Sequence, residues 1–220
     1  MATAADTDRL KAELIRKYGL ETAEKLFSYV DMVLERNEHI NLTAVRDRDE
    51  AMQKHLADSL TITILPEYAD ARKVIDIGTG AGFPGALLAI ADPDKDFILL
   101  DSTLKRLRVI DEFAENLGIS NVTTVHARAE EISKKPEYAG QFDLCVSRAV
   151  ASLDKLAGWC LPFIRQGGYF ISYKGENYKE ELKAAEKSLK KFRGRFERAV
   201  SFEQASEDIS GHVLVVIRKL

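Results

Sequence analysis

The chain has 220 residues, 45% of them hydrophobic and 30% charged, with a formal net charge of −3 and a pI near 5.9. A chain of this size and composition buries roughly 70% of the surface its unfolded form exposes, which excludes disordered and collagen-like architectures. The longest uninterrupted apolar run, Ala86 to Ala91, is far short of the ~18 residues that cross a bilayer, so no membrane partner is expected. Met1 to Arg9 carries acids and no apolar core, which predicts neither a secretory signal nor a transit peptide and points to the cytoplasm. Cys145 and Cys160 lie in apolar segments without C-x-x-C spacing and the four histidines are scattered, so neither a disulfide framework nor a metal site is expected.

The acidic balance argues against a protein that grips nucleic acid over its whole surface. A local patch is compatible with it. Between Lys179 and Arg198 the chain holds eight basic and four acidic residues, a run whose plainest reading is a solvated amphipathic helix.

In chain order, the first sixty residues read as helices. Ala23, Leu26, Phe27, Val30, Val33 and Leu34 fall at helical spacing within Glu21 to Ile40, and Asn37 to Thr43 breaks the period. A further helix is predicted from near Asp49 through Met52, His55, Leu56 and Leu60, ending before Pro66. Beyond it strands alternate with helices, the pattern of a parallel sheet covered on both faces. Strands are predicted at Lys73 to Ile77, Asp96 to Leu100, Val122 to His126, Phe142 to Ser147 and Tyr169 to Tyr173. Helices are predicted at Phe83 to Ile90, Leu104 to Leu117 (stopped by Gly118), Leu153 to Phe163 and Lys179 to Arg193. Leu104, Leu107, Ile110, Phe113 and Leu117 form one apolar face. Phe196 to Phe202 and His212 to Arg218, joined by a polar turn with Ser210-Gly211, suggest a C-terminal antiparallel hairpin. The expected architecture is a single α/β unit, with a helical cap over residues 1–66 and a Rossmann-like, mostly parallel core over 67–220.

The strongest chemical signal is the run from Val74 to Gly85, a hydrophobic strand entering a turn with Gly78, Gly80 and Gly82 that opens a helix. Glycines there permit positive φ and close approach of a ligand to the main chain. Phe83 stands where a dinucleotide fingerprint needs glycine, and no Gly-Lys-Ser/Thr follows, so NAD and ATP sites are disfavoured. Asp101 ends the second strand twenty-three residues after Gly78, where a carboxylate can accept both hydroxyls of a ribose. Capping of the next helix is better suited to Ser102 or Thr103.

With these features the chain resembles class I S-adenosylmethionine-dependent methyltransferases, and within them the glucose-inhibited division protein B family, the ribosomal RNA small subunit methyltransferases G. The resemblance runs from about Phe27 to Leu220. It rests on Asn41-Leu42-Thr43, His55-x-x-Asp58-Ser59-Leu60, Asp76 to Gly85, Asp101, Arg128-Ala129-Glu130, Phe142-Asp143, Ser147-Arg148-Ala149, Gly167-Gly168 and Lys174-Gly175. It implies methyl transfer from S-adenosylmethionine to N7 of guanine 527 in 16S ribosomal RNA of the small subunit. It also implies that Gly78 and Phe83 border the methionine and ribose, that Ala129 and Glu130 face the adenine, and that Arg148 sits at the reacting end. Asn41, His55, Ser147 and Lys174 are the RNA-side candidates, with Lys174 balanced between an RNA contact and a solvated lysine, and a monomer is expected.

The residues agree with that chemistry. Cysteine-dependent C5 methylation would need a thiol on a loop, but Cys145 and Cys160 fall inside a strand and a helix. The Asp/Asn-Pro-Pro-aromatic motif common for exocyclic amines is replaced by Ser147-Arg148-Ala149-Val150. Guanine N7 carries a lone pair and no proton, so positioning and exclusion of water suffice. Arg148 is expected to act in transfer and not in holding the fold. Two alternatives stay open at this level: a small-molecule methyltransferase, which would turn over without RNA, and a sensing protein that binds cofactor without turnover.

Overall fold

The computed structural model describes residues 2–202 and 212–220. Helices α1 (Ala4–Tyr18) and α2 (Leu20–Asn37) form the start of the cap, broken at Gly19, whose φ of +85° a side chain would resist. The next helical stretch is not uniform. It runs as α3 (Arg48–Ala51), a π-helical turn (Met52–Ala57) and α4 (Asp58–Leu60), before α5 (Pro66–Ala69).

The core strands are β1 (Lys73–Ile77), β2 (Asp96–Asp101), β3 (Val122–His126), β4 (Phe142–Arg148), β5 (Ile164–Lys174), β6 (Gly194–Ser201) and β7 (Val213–Lys219), in the order β3-β2-β1-β4-β5-β7-β6. β1 to β5 are parallel, and β7 pairs antiparallel with both β5 and β6. The strand order reverses at β1, between β2 and β4, and ligands of such sheets bind in the crevice at the carboxyl ends beside that reversal.

Helices α6 (Gly85–Ala91) and α7 (Leu104–Leu117) cover one face, packing with the cap around Val74, Leu99, Val146 and Ile171. Ala23, Leu26, Tyr29, Val30 and Val33 of α2 are buried in that same core, so cap and sheet share one apolar interior. Helices α8 (Ala129–Ile132), α9 (Leu153–Cys160) and α10 (Tyr178–Lys191) pack with the opposite face, around Ile75, Cys145, Phe170 and Val215. Both cysteines are buried there as free thiols.

The structure departs from the expected elements at α9, at β5 and on the apolar face of α7. α9 stops at Cys160 because Pro162 turns the chain through a short 3-10 segment, Leu161–Phe163. β5 begins at Ile164, because the Gly167-Gly168 stretch is absorbed where the β4 pairing shifts register. A Cβ on Gly168 would lie 2.6 Å from the Asp143 carbonyl oxygen, so the close strand approach needs glycine. Leu104 is 41% exposed and does not share the buried face of Leu107, Ile110 and Phe113. The expected turn at Ser210-Gly211 lies outside the described residues.

Candidate active site

The glycine turn is held from both sides. Gly78, Gly80 and Gly82 have φ of +74°, +61° and +93°. A Cβ on Gly78 would meet Val150 Cγ2 at 2.6 Å, and one on Gly82 would meet Tyr29 Oη at 2.1 Å. Tyr29, from the buried stripe of α2, donates its hydroxyl to the Ala81 carbonyl at 2.9 Å, so the cap fixes the turn. From beneath, Asp76 Oδ2 accepts the Gly85 N–H at 2.9 Å. Burial pushes the Asp76 carboxyl up to about 6, against the lowering effect of hydrogen bonds and of the Arg148 charge.

Asp101, 5% exposed at the end of β2, ties the turn to the following helix. Its Oδ2 accepts the Gly80 N–H at 3.0 Å and its Oδ1 accepts the Thr103 N–H at 2.8 Å. A carboxylate has about four acceptor positions, so capacity remains for two ribose hydroxyls. Thr103 occupies the cap position of α7, but its own side chain makes no capping bond.

A cavity of about 330 Å³ opens beside this turn, lined by Gly78, Asp101, Ser102, Arg128, Ala129, Glu130, Val150 and Trp159 among others. That volume is in the range of small-molecule and cofactor sites. The open carboxylate, the glycine backbone and the apolar walls fit a nucleoside. Gly80, Gly82 and Phe83 are not among the residues that line it. The Phe83 ring is 6% exposed and packs edge-on against Tyr29, with centroids 6.0 Å apart.

A second cavity of about 420 Å³ shares Ala149 and Val150 with the first and is lined by Asp58, Arg148, Tyr173, Lys174 and His212. Arg148, at the end of β4, donates Nη1 to Asp58 Oδ2 and to the Lys54 carbonyl, both at 2.9 Å. Its guanidinium lies 5.5 Å from the Phe83 ring centroid, and that ring stacks on His55 at 4.7 Å. His55 Nε2 lies 2.7 Å from Thr43 Oγ1, and burial together with the Arg148 charge pushes His55 down to about 4, leaving it neutral at physiological pH. Burial raises the Asp58 carboxyl, but the hydrogen bond from His212 (2.9 Å) and the Arg148 charge outweigh it and hold it below its ordinary value. The same contact raises His212.

Three expectations require correction. Arg148 does hold the fold. Its side chain is 13% exposed and that of Asp58 is 2%, so their ion pair is a buried tie between cap and sheet. Ser147 is fully buried and donates Oγ to the Ile77 carbonyl at 2.9 Å, which locks β4 to β1 and leaves no surface for RNA. Lys174 is not solvated. Its ammonium, on a side chain 8% exposed, donates to the Ala151 carbonyl and to Glu181 Oε2, each at 2.7 Å. Asn41 is exposed on the cap loop, where its Oδ1 accepts from Arg46 Nη2 at 3.5 Å.

Several residues in the site escaped the sequence reading. Tyr29 lies three residues after Leu26 and four before Val33, so its place on the buried stripe was readable, although its bond to Ala81 was not. Asn37 accepts the N–H groups of Leu42 (2.8 Å) and Thr43 (3.1 Å) and so shapes the loop that presents Thr43 to His55. His212 reaches Asp58 across 154 positions of sequence, a pairing no local signal announces.

Comparison with known proteins converges on one family. The family model for GidB, described as rRNA small subunit methyltransferase G, matches residues 22–210. Proteins named Ribosomal RNA small subunit methyltransferase G are 42% identical over 196 residues in Clostridium novyi (89% of this chain, 80% of the relative) and 39% identical over 206 residues in Lachnoclostridium phytofermentans (94% and 84%). Among solved structures, the ribosomal protein L11 methylase of Lactobacillus delbrueckii subsp. bulgaricus superposes with a TM-score of 0.52 at 18% identity, covering 77% of this chain and 78% of that one. TYW2 of M. jannaschii, solved in complex with AdoMet, superposes with a TM-score of 0.52 at 14% identity, covering 70% and 73%. These distant structures show the fold, and the match of model and relatives over most of the sequence shows that the chain belongs to the GidB family, the rRNA small subunit methyltransferases G.

Proposed function

We propose that this chain uses S-adenosylmethionine to methylate N7 of guanine 527 in 16S ribosomal RNA of the small ribosomal subunit. The observation that carries the reading is the pair of cavities joined at Ala149 and Val150 on the carboxyl edge of the sheet, one suited to a nucleoside and one flanked by Arg148. When bound, the cofactor supplies an electrophilic methyl group on its sulfonium. Gly78 lets the backbone approach that ligand, Asp101 accepts the ribose hydroxyls, and Ala129 and Glu130 border the base. The second cavity receives the guanine. Arg148 has five N–H donors, and those left over from Asp58, Lys54 and His55 are available to orient the base through O6 or to hold the cofactor carboxylate. No general base is needed because N7 carries no proton, and neutral His55 is consistent with a positioning role.

We further propose that residues 1–220 act as one methyltransferase unit, as a monomer and in the cytoplasm, where the substrate resides. No helix among the described residues is long and apolar enough to cross a membrane. The deciding experiment is transfer of labelled methyl groups to small subunits lacking the mark, followed by mapping of N7-methylguanine. Label on protein-free small molecules, or none on the subunit, would refute the assignment.

A further inference from the structure

The basic run at the end of α10 is left unused by the site above, and the structure gives it company. A groove of about 560 Å³ begins where Glu130 and Trp159 border the cofactor cavity and runs between α8, α9 and the end of α10 to Lys219. β7 is antiparallel to β5, so Lys219 marks the amino edge of the parallel strands, and the groove leads away from the reacting end. Its floor is apolar. Phe192 lies against α9 because Gly158 has no side chain, and a Cβ there would come within 3.1 Å of the ring. Its rim is cationic: Lys134, Lys155, Lys191 and Arg193 come from three separate segments, and all are exposed. None of the four forms an ion pair among the described residues. Glu130 is the only carboxylate among the described residues of the lining, in a protein whose net charge is −3.

We propose that this groove is a second RNA-anchoring surface that takes a single-stranded segment of ribosomal RNA, phosphates along the lysine rim and a base against Trp159. Unpaired cations around an aromatic floor match the two demands of single-stranded RNA, charge along the backbone and a face for each base. A protein this acidic can hold a polyanion only where cations are concentrated, and three segments of fold converge to concentrate them here. The inference rests on the reading of the chain as a ribosomal RNA methyltransferase.

The test compares Lys155→Glu/Lys191→Glu with Lys183→Glu/Lys187→Glu, which changes the net charge equally on α10 outside the groove lining. Binding of protein-free 16S RNA is measured against salt, together with KM and kcat on unmodified small subunits and calorimetric affinity for S-adenosylmethionine. The groove variant is expected to raise KM and the RNA Kd at least about tenfold and to flatten the salt slope by about 1.4, at about 0.7 per lost contact. Its kcat and cofactor affinity should match the parent, and the control should stay within about twofold. Trp159 is the only tryptophan, so its fluorescence in the cofactor-saturated parent should be quenched by single-stranded RNA. Parent-like KM and salt slope, or an equal effect in the control, overturns the proposal. An effect on subunits without one on protein-free RNA also overturns it, by assigning the groove to a ribosomal protein. If the parent transfers no methyl group, the functional reading fails, and RNA binding still decides the groove.

Discussion

Replacing Arg148 by Met should destabilise the protein strongly as well as slow transfer. The guanidinium serves four partners: Asp58 and the Lys54 carbonyl at 2.9 Å, His55 Nδ1 at 3.4 Å, and the Phe83 ring at 5.5 Å. With side-chain exposures of 13% and 2%, the Arg148–Asp58 pair has little solvent to screen it. Removing one member of a buried pair leaves an uncompensated charge and costs about 3–5 kcal/mol, whereas an exposed pair contributes about 1 kcal/mol or less. In a chain of this length each kcal/mol moves Tm by about 2–4 °C, so a fall of roughly 6–20 °C is expected against at most about 4 °C for a surface pair. The assay is scanning calorimetry at pH 7 on Arg148→Met, Asp58→Asn and the double variant. Because each single change removes the other partner's buried counter-charge, leaving Asp58 only its His212 contact, the double variant should cost less than the sum, with a coupling of about 2 kcal/mol or more. A Tm drop below about 4 °C with coupling below about 0.5 kcal/mol would show that the pair is not a tie between cap and sheet.

Other consequences are open to direct measurement. Asp101→Ala should weaken S-adenosylmethionine at least about tenfold by calorimetry, since each charge-assisted hydrogen bond contributes about 1.5–3 kcal/mol; unchanged affinity in the folded variant would remove Asp101 from the ribose site. Tyr29→Phe leaves the buried Ala81 carbonyl without its donor and should cost about 1–3 kcal/mol in urea unfolding, while Gly82→Ala, which drives a Cβ into the Tyr29 hydroxyl, should cost more. His55 is held at about 4 against about 6.5 unfolded, so between these values the unfolded chain binds the extra proton, and the stability associated with neutral His55 is lost as pH falls. The deficit of His55→Gln relative to the parent should therefore shrink by about 2–3 kcal/mol between pH 7.5 and 4.5. Asp76, raised to about 6, has the opposite sign over nearly the same window, so variant and parent must be compared at each pH.

The sheet and the glycine turn were legible because their signals are local. Lys73–Ile77 and Leu104–Leu117 match their expected bounds, since apolar runs and helical spacing report burial directly. The glycines declare their turn because positive φ is a property of single residues, and Asp101 follows from its place at a strand end. The π-helical turn at Met52–Ala57 was not legible, because its register differs from a regular helix by one bond per turn and the apolar pattern tolerates either.

By itself, then, the sequence determined the alternation of strands and helices, the site of the glycine turn and the family. What only the tertiary structure decided is which polar groups meet. Ser147, Arg148 and Lys174 all end up at the carboxyl edge, as strand order requires, yet Ser147 turns to the Ile77 carbonyl, Lys174 to Glu181, and Arg148 to Asp58 ninety positions away. Periodicity tells which way a side chain faces relative to its own element. The partner it finds there depends on long-range packing, because a buried charge takes whichever carboxylate or carbonyl the fold places within reach.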